Sequence, residues 1–277
     1  MSSSPRPDPG SPTPDPTELE PWGARRMEGS ARFLTSLTRA VPPVAGIKQL
    51  ALPLRRLARR KLHGMVDDRL WGHRLRFQAT GNISEGRLLF MPDSWDRTER
   101  AVIRDFAEPG AVMVDVGANF GAYTWWLLHL LGPRCRILAL EPEPALNRRL
   151  RFNLATNGWD NVEVVAVAAG DREGTATLHI HGANQGENTL ADPETGHAPA
   201  AGGGAVEVPV RPLARIVADA GLDRVDILKI DIEGLEPPVL TRFFHDAPAS
   251  LWPRLLLCEF RDTPAYQELE RLLDDRG

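Results

Sequence analysis

Short apolar runs alternate along this chain with segments in which apolar residues recur every three or four positions. The runs have the length and composition of strands buried on both faces, and they fall at 111–116, 136–140, 162–168, 225–230 and 255–260. Helical patterns lie around and between them, at 96–106, 122–128, 144–157, 213–220 and 264–274. This alternation predicts an α/β fold with a mostly parallel, doubly wound sheet.

The first 94 residues follow other patterns. Residues 1–28 are rich in Pro and Ser, which predicts a disordered tail. Residues 29–94 predict an extension with an amphipathic helix at 47–62 and a strand pair at 72–78 and 87–91. We therefore assign residues 95–277 to the α/β domain.

The strand at 111–116 leads into a glycine turn and then a helix. Gly117 allows a ligand close to the backbone, Gly121 allows close packing of the helix, and Asn119 tolerates a left-handed position. Asp115, at the strand end, can accept hydrogen bonds from an amino group. The dinucleotide fingerprint G-x-G-x-x-G is absent, because Asn119 stands where a middle glycine would. The turn suits a ligand with a ribose, an amino acid and no phosphate, such as S-adenosylmethionine (SAM).

Two further acids follow strands of the same predicted sheet. Glu141 lies about 20 residues beyond the glycine turn, where doubly wound folds place the carboxylate that binds both ribose hydroxyls. Asp171 follows the next strand and is a candidate for the adenine amino group, although an acid in a turn explains it equally well.

A second motif follows the strand at 225–230. Asp231 and Glu233 lie at its carboxyl end, and Gly234 precedes the next helix. Since this strand should neighbour the strand at 111–116, Asp231 should face Asp115 and Gly117. Both carboxylates are candidate catalytic bases for a substrate hydroxyl. A divalent cation held by Asp231, Glu233 or Glu259 is an alternative, but we predict no metal site.

Composition limits the partners and the compartment. A net charge of −4 on 277 residues does not favour nucleic acid, and no apolar run approaches the ~20 residues of a membrane span. Two cysteines in apolar runs and the lack of a secretory signal predict a cytoplasmic protein. The basic segment 48–61 could make weak contact with a membrane surface, although a solvated helix face is the favoured interpretation.

The motifs 114–121, 139–142 and 226–236 together resemble the FkbM family of SAM-dependent methyltransferases. The resemblance covers about residues 95–260. It implies a class I, Rossmann-like methyltransferase fold, with SAM on the glycine turn and its ribose on Glu141, and transfer to a hydroxyl of a sugar or natural-product scaffold. Many members have Leu-Asp where this chain has Leu213-Ala214. The family's edge hairpin after the last helix also has no counterpart here, so we expect an incomplete sheet edge.

Two alternatives remain at the level of the sequence. One is an NAD-dependent oxidoreductase on the same fold, and the other is a non-catalytic SAM-fold remnant that binds a membrane or a partner. The acceptor is expected to be a small molecule or glycan, held by the loops at 181–205 and by the region before Trp95. The sequence predicts no oligomeric state.

Overall fold

The computed structural model describes residues 20–42, 51–180, 189–190 and 204–275. Most of the predicted tail, the start of the basic segment 48–61 and most of the predicted acceptor loops at 181–205 lie outside these residues. None of the helices in the described ranges is long and apolar enough to cross a membrane.

After residue 95, helices and strands alternate except between residues 162 and 212, where five strands follow one another. The strands are β1 (Met65–Leu70), β2 (His73–Gln78), β3 (Ala111–Val116), β4 (Cys135–Leu140), β5 (Val162–Val165), β6 (Ala168–Gly170), β7 (Gly174–Ile180), β8 (Thr189–Leu190), β9 (Gly204–Pro212), β10 (Ile227–Ile230) and β11 (Leu255–Cys258). The helices are α1 (Gly29–Ala40), α2 (Ala51–Lys61), α3 (Ile83–Phe90), α4 (Arg97–Phe106), α5 (Ala122–Leu131), α6 (Pro144–Asn157), α7 (Leu213–Asp219), α8 (Glu236–Asp246) and α9 (Pro264–Asp274).

The central sheet of the described chain has five strands in the order β11-β10-β3-β4-β5, and every neighbouring pair is parallel. Successive residues of β3 point to opposite faces, so Met113 joins one hydrophobic cluster while Val112 and Val114 join the other. Both faces are therefore buried, which explains why the strands are continuous apolar runs. The predicted parallel, doubly wound α/β fold is confirmed.

A second sheet, in the order β6-β9-β7-β8, accounts for two differences from the sequence interpretation. The run at 162–168 is not one strand, because β5 pairs with β4 and β6 pairs instead with β9. Strand β9 was not predicted, although Val206, Val208 and Val210 alternate with other residues along it.

Of the two strands predicted in the N-terminal extension, the one at 72–78 is present, but its partner is another segment. Strand β2 pairs antiparallel with β1, and residues 87–91 are not a strand. Residues 83–90 form α3 instead, because Asn82 caps this helix by accepting a hydrogen bond from the Glu85 backbone N–H at 3.0 Å.

The extension packs closely on the α/β domain. Asn153 of α6 accepts from the backbone N–H of Arg76 at 2.7 Å and donates to its carbonyl at 3.2 Å. The buried Arg149 of α6 likewise donates to the buried Glu85 at 2.6 Å. One hydrophobic cluster includes residues from both parts, such as Phe77 and Phe120, so the extension helps to hold the glycine turn.

Candidate active site

The glycine turn after β3 depends on Gly117. Its φ of 74° lies in the left-handed region that favours glycine. A Cβ atom here would lie 2.1 Å from the carbonyl oxygen of Asp231, far inside a van der Waals contact. The turn after β3 and the turn after β10 therefore touch backbone to backbone, and only glycine fits between them.

Gly121 and Asn119 shape the remainder of this turn. Both have positive φ, 91° for Gly121 and 56° for Asn119. A Cβ on Gly121 would lie 2.6 Å from Cδ1 of Leu150 in α6. The absence of a side chain at Gly121 therefore allows α5 to pack closely on α6, and not on the strand as the sequence suggested. The Asn119 side-chain oxygen accepts from its neighbour's N–H at 2.8 Å, which stabilises the left-handed position.

Glu141 lies directly after β4 and faces the same turn. Its carboxylate is buried and accepts from the backbone N–H of Asn119 at 2.7 Å and of Glu143 at 2.8 Å. Burial raises the pKa of Glu141 to about 8, above the ordinary 4.5, against the effect of these hydrogen bonds. When Glu141 is ionised, each carboxylate oxygen retains a further acceptor position, because each has received only one of these N–H donors.

A cavity opens at the carboxyl ends of β3, β4 and β10. Gly117, Asn119 and Glu141 line one side, Asp231 and Glu233 line another, and the apolar wall consists of Leu146, Val167, Ala169 and Leu178. This is the crevice at which open α/β sheets bind their ligands. The structure therefore brings most of the residues singled out in the sequence together around one cavity.

The acids after β10 differ in environment. Asp231 is exposed, its backbone N–H donates to the Val116 carbonyl at 3.1 Å, and its carboxylate lies 3.4 Å from the ammonium of Lys229. Glu233 has a left-handed φ of 57° and accepts from Arg261 at 2.9 Å. Burial, and then the nearby charge of Asp231, raise the pKa of Glu233.

Glu236 supports the turn that carries these two acids, a role that the sequence interpretation missed. It is fully buried and accepts from the backbone N–H groups of Ile232 at 2.8 Å and Gly234 at 2.9 Å. The hydroxyl of Tyr266 donates to the same carboxylate. In the sequence, an acid in the first turn of α8 is explained by the helix dipole alone. The support that Glu236 gives to this turn becomes apparent only from its contacts, which include the distant Tyr266.

Asp115 is buried behind the turn rather than in the cavity lining. It accepts from the Thr124 hydroxyl at 2.7 Å, and burial raises its pKa to about 6 although the Lys229 charge acts in the opposite direction. Lys229 is itself buried, with its ammonium 5.1 Å from the ring centre of Tyr123. Asp115 thus ties the strand to the first turn of α5.

Asp171 is not brought to this cavity. It is exposed and lines two separate cavities, in both of which Arg242 also takes part. Ala168 and Ala169 of β6 do line the cavity, but β6 ends at Gly170 and Asp171 follows outside it.

Asn82 is a further contact that the sequence interpretation missed. Its side-chain amide donates to the Asn119 side-chain oxygen at 2.9 Å, so the extension touches the turn that lines the cavity. A local sequence pattern could have indicated the start of this helix, because Asn82 followed three residues later by Glu85 is typical of a helix N-terminus.

The carboxylates Asp231, Glu236 and Glu259 offer oxygens within 4.8 Å of one another, the only such group of three among the residues that the structure describes. Glu236 is already bonded to two backbone N–H groups and a tyrosine hydroxyl, and Glu259 accepts from Arg261 at 2.8 Å. The Arg261 guanidinium beside Glu259 and the Lys229 ammonium 3.4 Å from Asp231 already provide counter-charges to two of these acids.

The raised pKa of Glu141 predicts a pH-dependent stability. Between its ordinary value of 4.5 and its folded value of about 8, the folded protein retains a proton that the unfolded chain has lost. The free energy of unfolding should therefore fall by a few kcal/mol, at about 1.4 kcal/mol per pKa unit, as pH rises through this window. Urea denaturation of the ligand-free protein and of Glu141→Gln across this range measures the difference. A difference that stays constant with pH would contradict the assignment.

The fold, with this cavity at the carboxyl ends of its strands, is of the Rossmann-like type to which class I methyltransferases belong. The chain belongs to the family of the methyltransferase FkbM domain, whose family model matches residues 115–277. The expected family resemblance is thereby confirmed.

Three relatives illustrate the range of this similarity. The methyltransferase sdnD of Sordaria araneosa is 28% identical over 189 residues, covering 60% of this chain and 72% of the relative. The 31-O-demethyl-FK506 methyltransferase FkbM of Streptomyces tacrolimicus is 29% identical over 214 residues, covering 65% of this chain and 78% of the relative. The 2-O-methyltransferase NoeI of Sinorhizobium fredii is 25% identical over 189 residues, covering 64% of this chain and 74% of the relative.

Proposed function

We propose that this protein is an O-methyltransferase that moves the methyl group of SAM to a hydroxyl of a small-molecule or glycan acceptor. One observation carries the proposal: Glu141 and the pair Asp231 and Glu233 line the same cavity. The first suits a ribose, and the pair suits a hydroxyl that must lose a proton. The names of the relatives NoeI and FkbM, both O-methyltransferases, support the choice of oxygen as the acceptor atom.

The cavity fits the cofactor by its donors and acceptors. The Glu141 carboxylate has one acceptor position left on each oxygen, which matches two adjacent ribose hydroxyls. The apolar wall of Leu146, Val167 and Ala169 suits an adenine ring. Gly117 and Asn119 complete this side, whereas Asp115 supports the turn from behind through Thr124. Asp171 lies outside this cavity, so we do not include it in the proposed cofactor site.

On the acceptor side, the protein holds the hydroxyl and removes its proton. Bound SAM supplies a methyl group that is already activated on a sulfonium. Asp231 is the exposed carboxylate at the cavity, and the Lys229 ammonium 3.4 Å away fixes its orientation. An ordinary carboxylate is a weak base for an alcohol, so alignment of the acceptor contributes most of the rate. Glu233 is held by Arg261 and serves to orient the acceptor.

Asp231→Asn should lower kcat by about 100-fold or more while the affinity for SAM changes little, because the amide keeps the shape but cannot accept the proton. The matched control is Asp262→Asn, since Asp262 lies on the surface and accepts from Gln267 rather than lining the cavity. Steady-state kinetics with calorimetry of SAM binding separate the two effects. A kcat equal to that of the native enzyme would remove Asp231 from the mechanism.

The function itself is tested by a labelled-methyl assay on a panel of polyhydroxylated metabolites and glycans, with product analysis by mass spectrometry. We expect label on oxygen and full activity in EDTA. Methylation of nitrogen or carbon would refute the choice of acceptor atom. Binding of NAD without SAM in parallel calorimetry would support the oxidoreductase alternative, and binding of SAM without turnover would support the non-catalytic one.

A further inference from the structure

Positive charge is concentrated in one stretch of the chain. Residues 29–66 contain eight Lys and Arg residues and no Asp or Glu. Because the whole protein carries −4, removing these eight positive charges leaves −12 on the remainder. The stretch includes α1 and α2, and its basic residues are Arg32, Arg39, Lys48, Arg55, Arg56, Arg59, Arg60 and Lys61.

The two helices expose Arg32, Arg56, Arg59, Arg60 and Lys61 to solvent, whereas Arg39 is paired with Asp68 at 2.8 Å. They pack against each other, and α2 buries Ala58 on its inner side. Arg56, Arg59 and Arg60 are exposed and form no ion pair with any residue in the described ranges. Burial, and then the like charges of Arg59 and Arg87, lower the pKa of Arg55, in keeping with the row of cations along α2.

The same two helices expose apolar side chains. Phe33, Leu37, Leu52 and Leu57 are between 37% and 63% exposed. They are four of the seven large apolar residues that are exposed in the described part of the chain. Phe33 and Leu37 lie one helical turn apart on the same side of α1. We call these two helices, with their exposed arginines and apolar side chains, the α1–α2 surface.

We propose that the α1–α2 surface docks onto an anionic lipid bilayer. The arginines match the charge of acidic headgroups, while Phe33 and Leu57 enter the boundary with the acyl chains. A nucleic acid would satisfy the arginines but would leave the aliphatic side chains in water. A bilayer satisfies both, because apolar burial and headgroup attraction act at the same depth. The proposal is independent of the acceptor and of the methyl transfer.

The test is co-sedimentation of the full-length protein with vesicles of phosphatidylserine and phosphatidylcholine, compared with vesicles of phosphatidylcholine alone. The native protein should bind only the first. The triple variant R56Q/R59Q/R60Q should bind at least about tenfold more weakly, since each basic residue near an anionic surface contributes about fivefold. The triple variant R104Q/R172Q/R215Q removes the same charge from exposed arginines elsewhere and should bind like the native protein.

A second variant, F33S/L57S, separates a bilayer from a purely ionic partner. It retains every charge and should also bind the mixed vesicles at least about tenfold more weakly. Circular dichroism and SAM calorimetry check that each variant is folded. Equal losses in both arginine variants would overturn the proposal, as would equal binding to both vesicle types. Native binding by F33S/L57S, together with displacement by single-stranded RNA, would assign the surface to a polyanion instead.

Discussion

Replacing Gly117 by alanine is expected to destabilise the protein by about 3 to 5 kcal/mol and to weaken SAM binding by at least about 100-fold. The added Cβ would lie 2.1 Å from the carbonyl oxygen of Asp231, so the turns after β3 and β10 must move apart. That movement separates Gly117 from the two acids across the cavity. Urea denaturation and calorimetry with SAM measure the two effects.

Gly158→Ala is the matched control for this change. Gly158 ends α6 with a φ of 71°, close to the 74° of Gly117, but a Cβ there would have no neighbour within 4 Å. The control therefore carries only the strain of a left-handed alanine, about 1 to 2 kcal/mol, and should leave SAM affinity unchanged. Equal effects in the two variants would mean that backbone strain, and not the contact with Asp231, requires Gly117.

Above pH 8, where the native Glu141 is ionised, Glu141→Gln is expected to reduce SAM affinity by about two orders of magnitude, because hydrogen bonds to a charged group contribute about 1.5 to 3 kcal/mol each. The native carboxylate accepts from two backbone N–H groups and has acceptors left for two hydroxyls. An amide places an N–H₂ donor at one of these positions, where it faces other donors. Calorimetric titration with SAM gives the loss directly.

Glu143→Gln tests whether this loss is specific. Glu143 is also buried, but it caps α6 by accepting from the N–H groups of Ala145 and Leu146 and does not line the cavity. It should reduce stability by about 1 kcal/mol and leave SAM affinity intact. A stronger effect on affinity from Glu143→Gln than from Glu141→Gln would show that the capped helix, and not the Glu141 carboxylate, determines cofactor binding.

The parts of this fold that depend on local pattern could be predicted from the sequence. Strand β3 is recognisable because burial on both faces requires a continuous apolar run. The meeting of Gly117, Glu141 and Asp231 was also predictable, since parallel strands deliver their carboxyl ends to one edge of the sheet. The order of the parallel strands thus predicts most of the polar residues that line the cavity.

The errors concern residues whose state is decided by distant partners. Residues 88–90 are a short apolar run that fits a strand or a helix equally well, and the cap at Asn82 decides for a helix. Asp171 was one candidate for the adenine amino group, with an acid in a turn as the equal alternative, and it lies outside the cavity that Ala168 and Ala169 line. The role of Glu236 depends on Tyr266, 30 residues away, which no local pattern could indicate.

The hydrogen bond between Asn82 and Asn119 has a consequence for where the functional unit begins. The match of the family model starts at residue 115, yet the cofactor turn is held in part by a side chain 37 residues before Asn119. Arg149 and Asn153 also depend on Glu85 and Arg76 for their buried hydrogen bonds. A family boundary marks where related sequences remain recognisable, whereas cooperative folding follows buried polar contacts. A fusion protein that carries this domain would therefore need to include the hairpin β1–β2 and helix α3 as well.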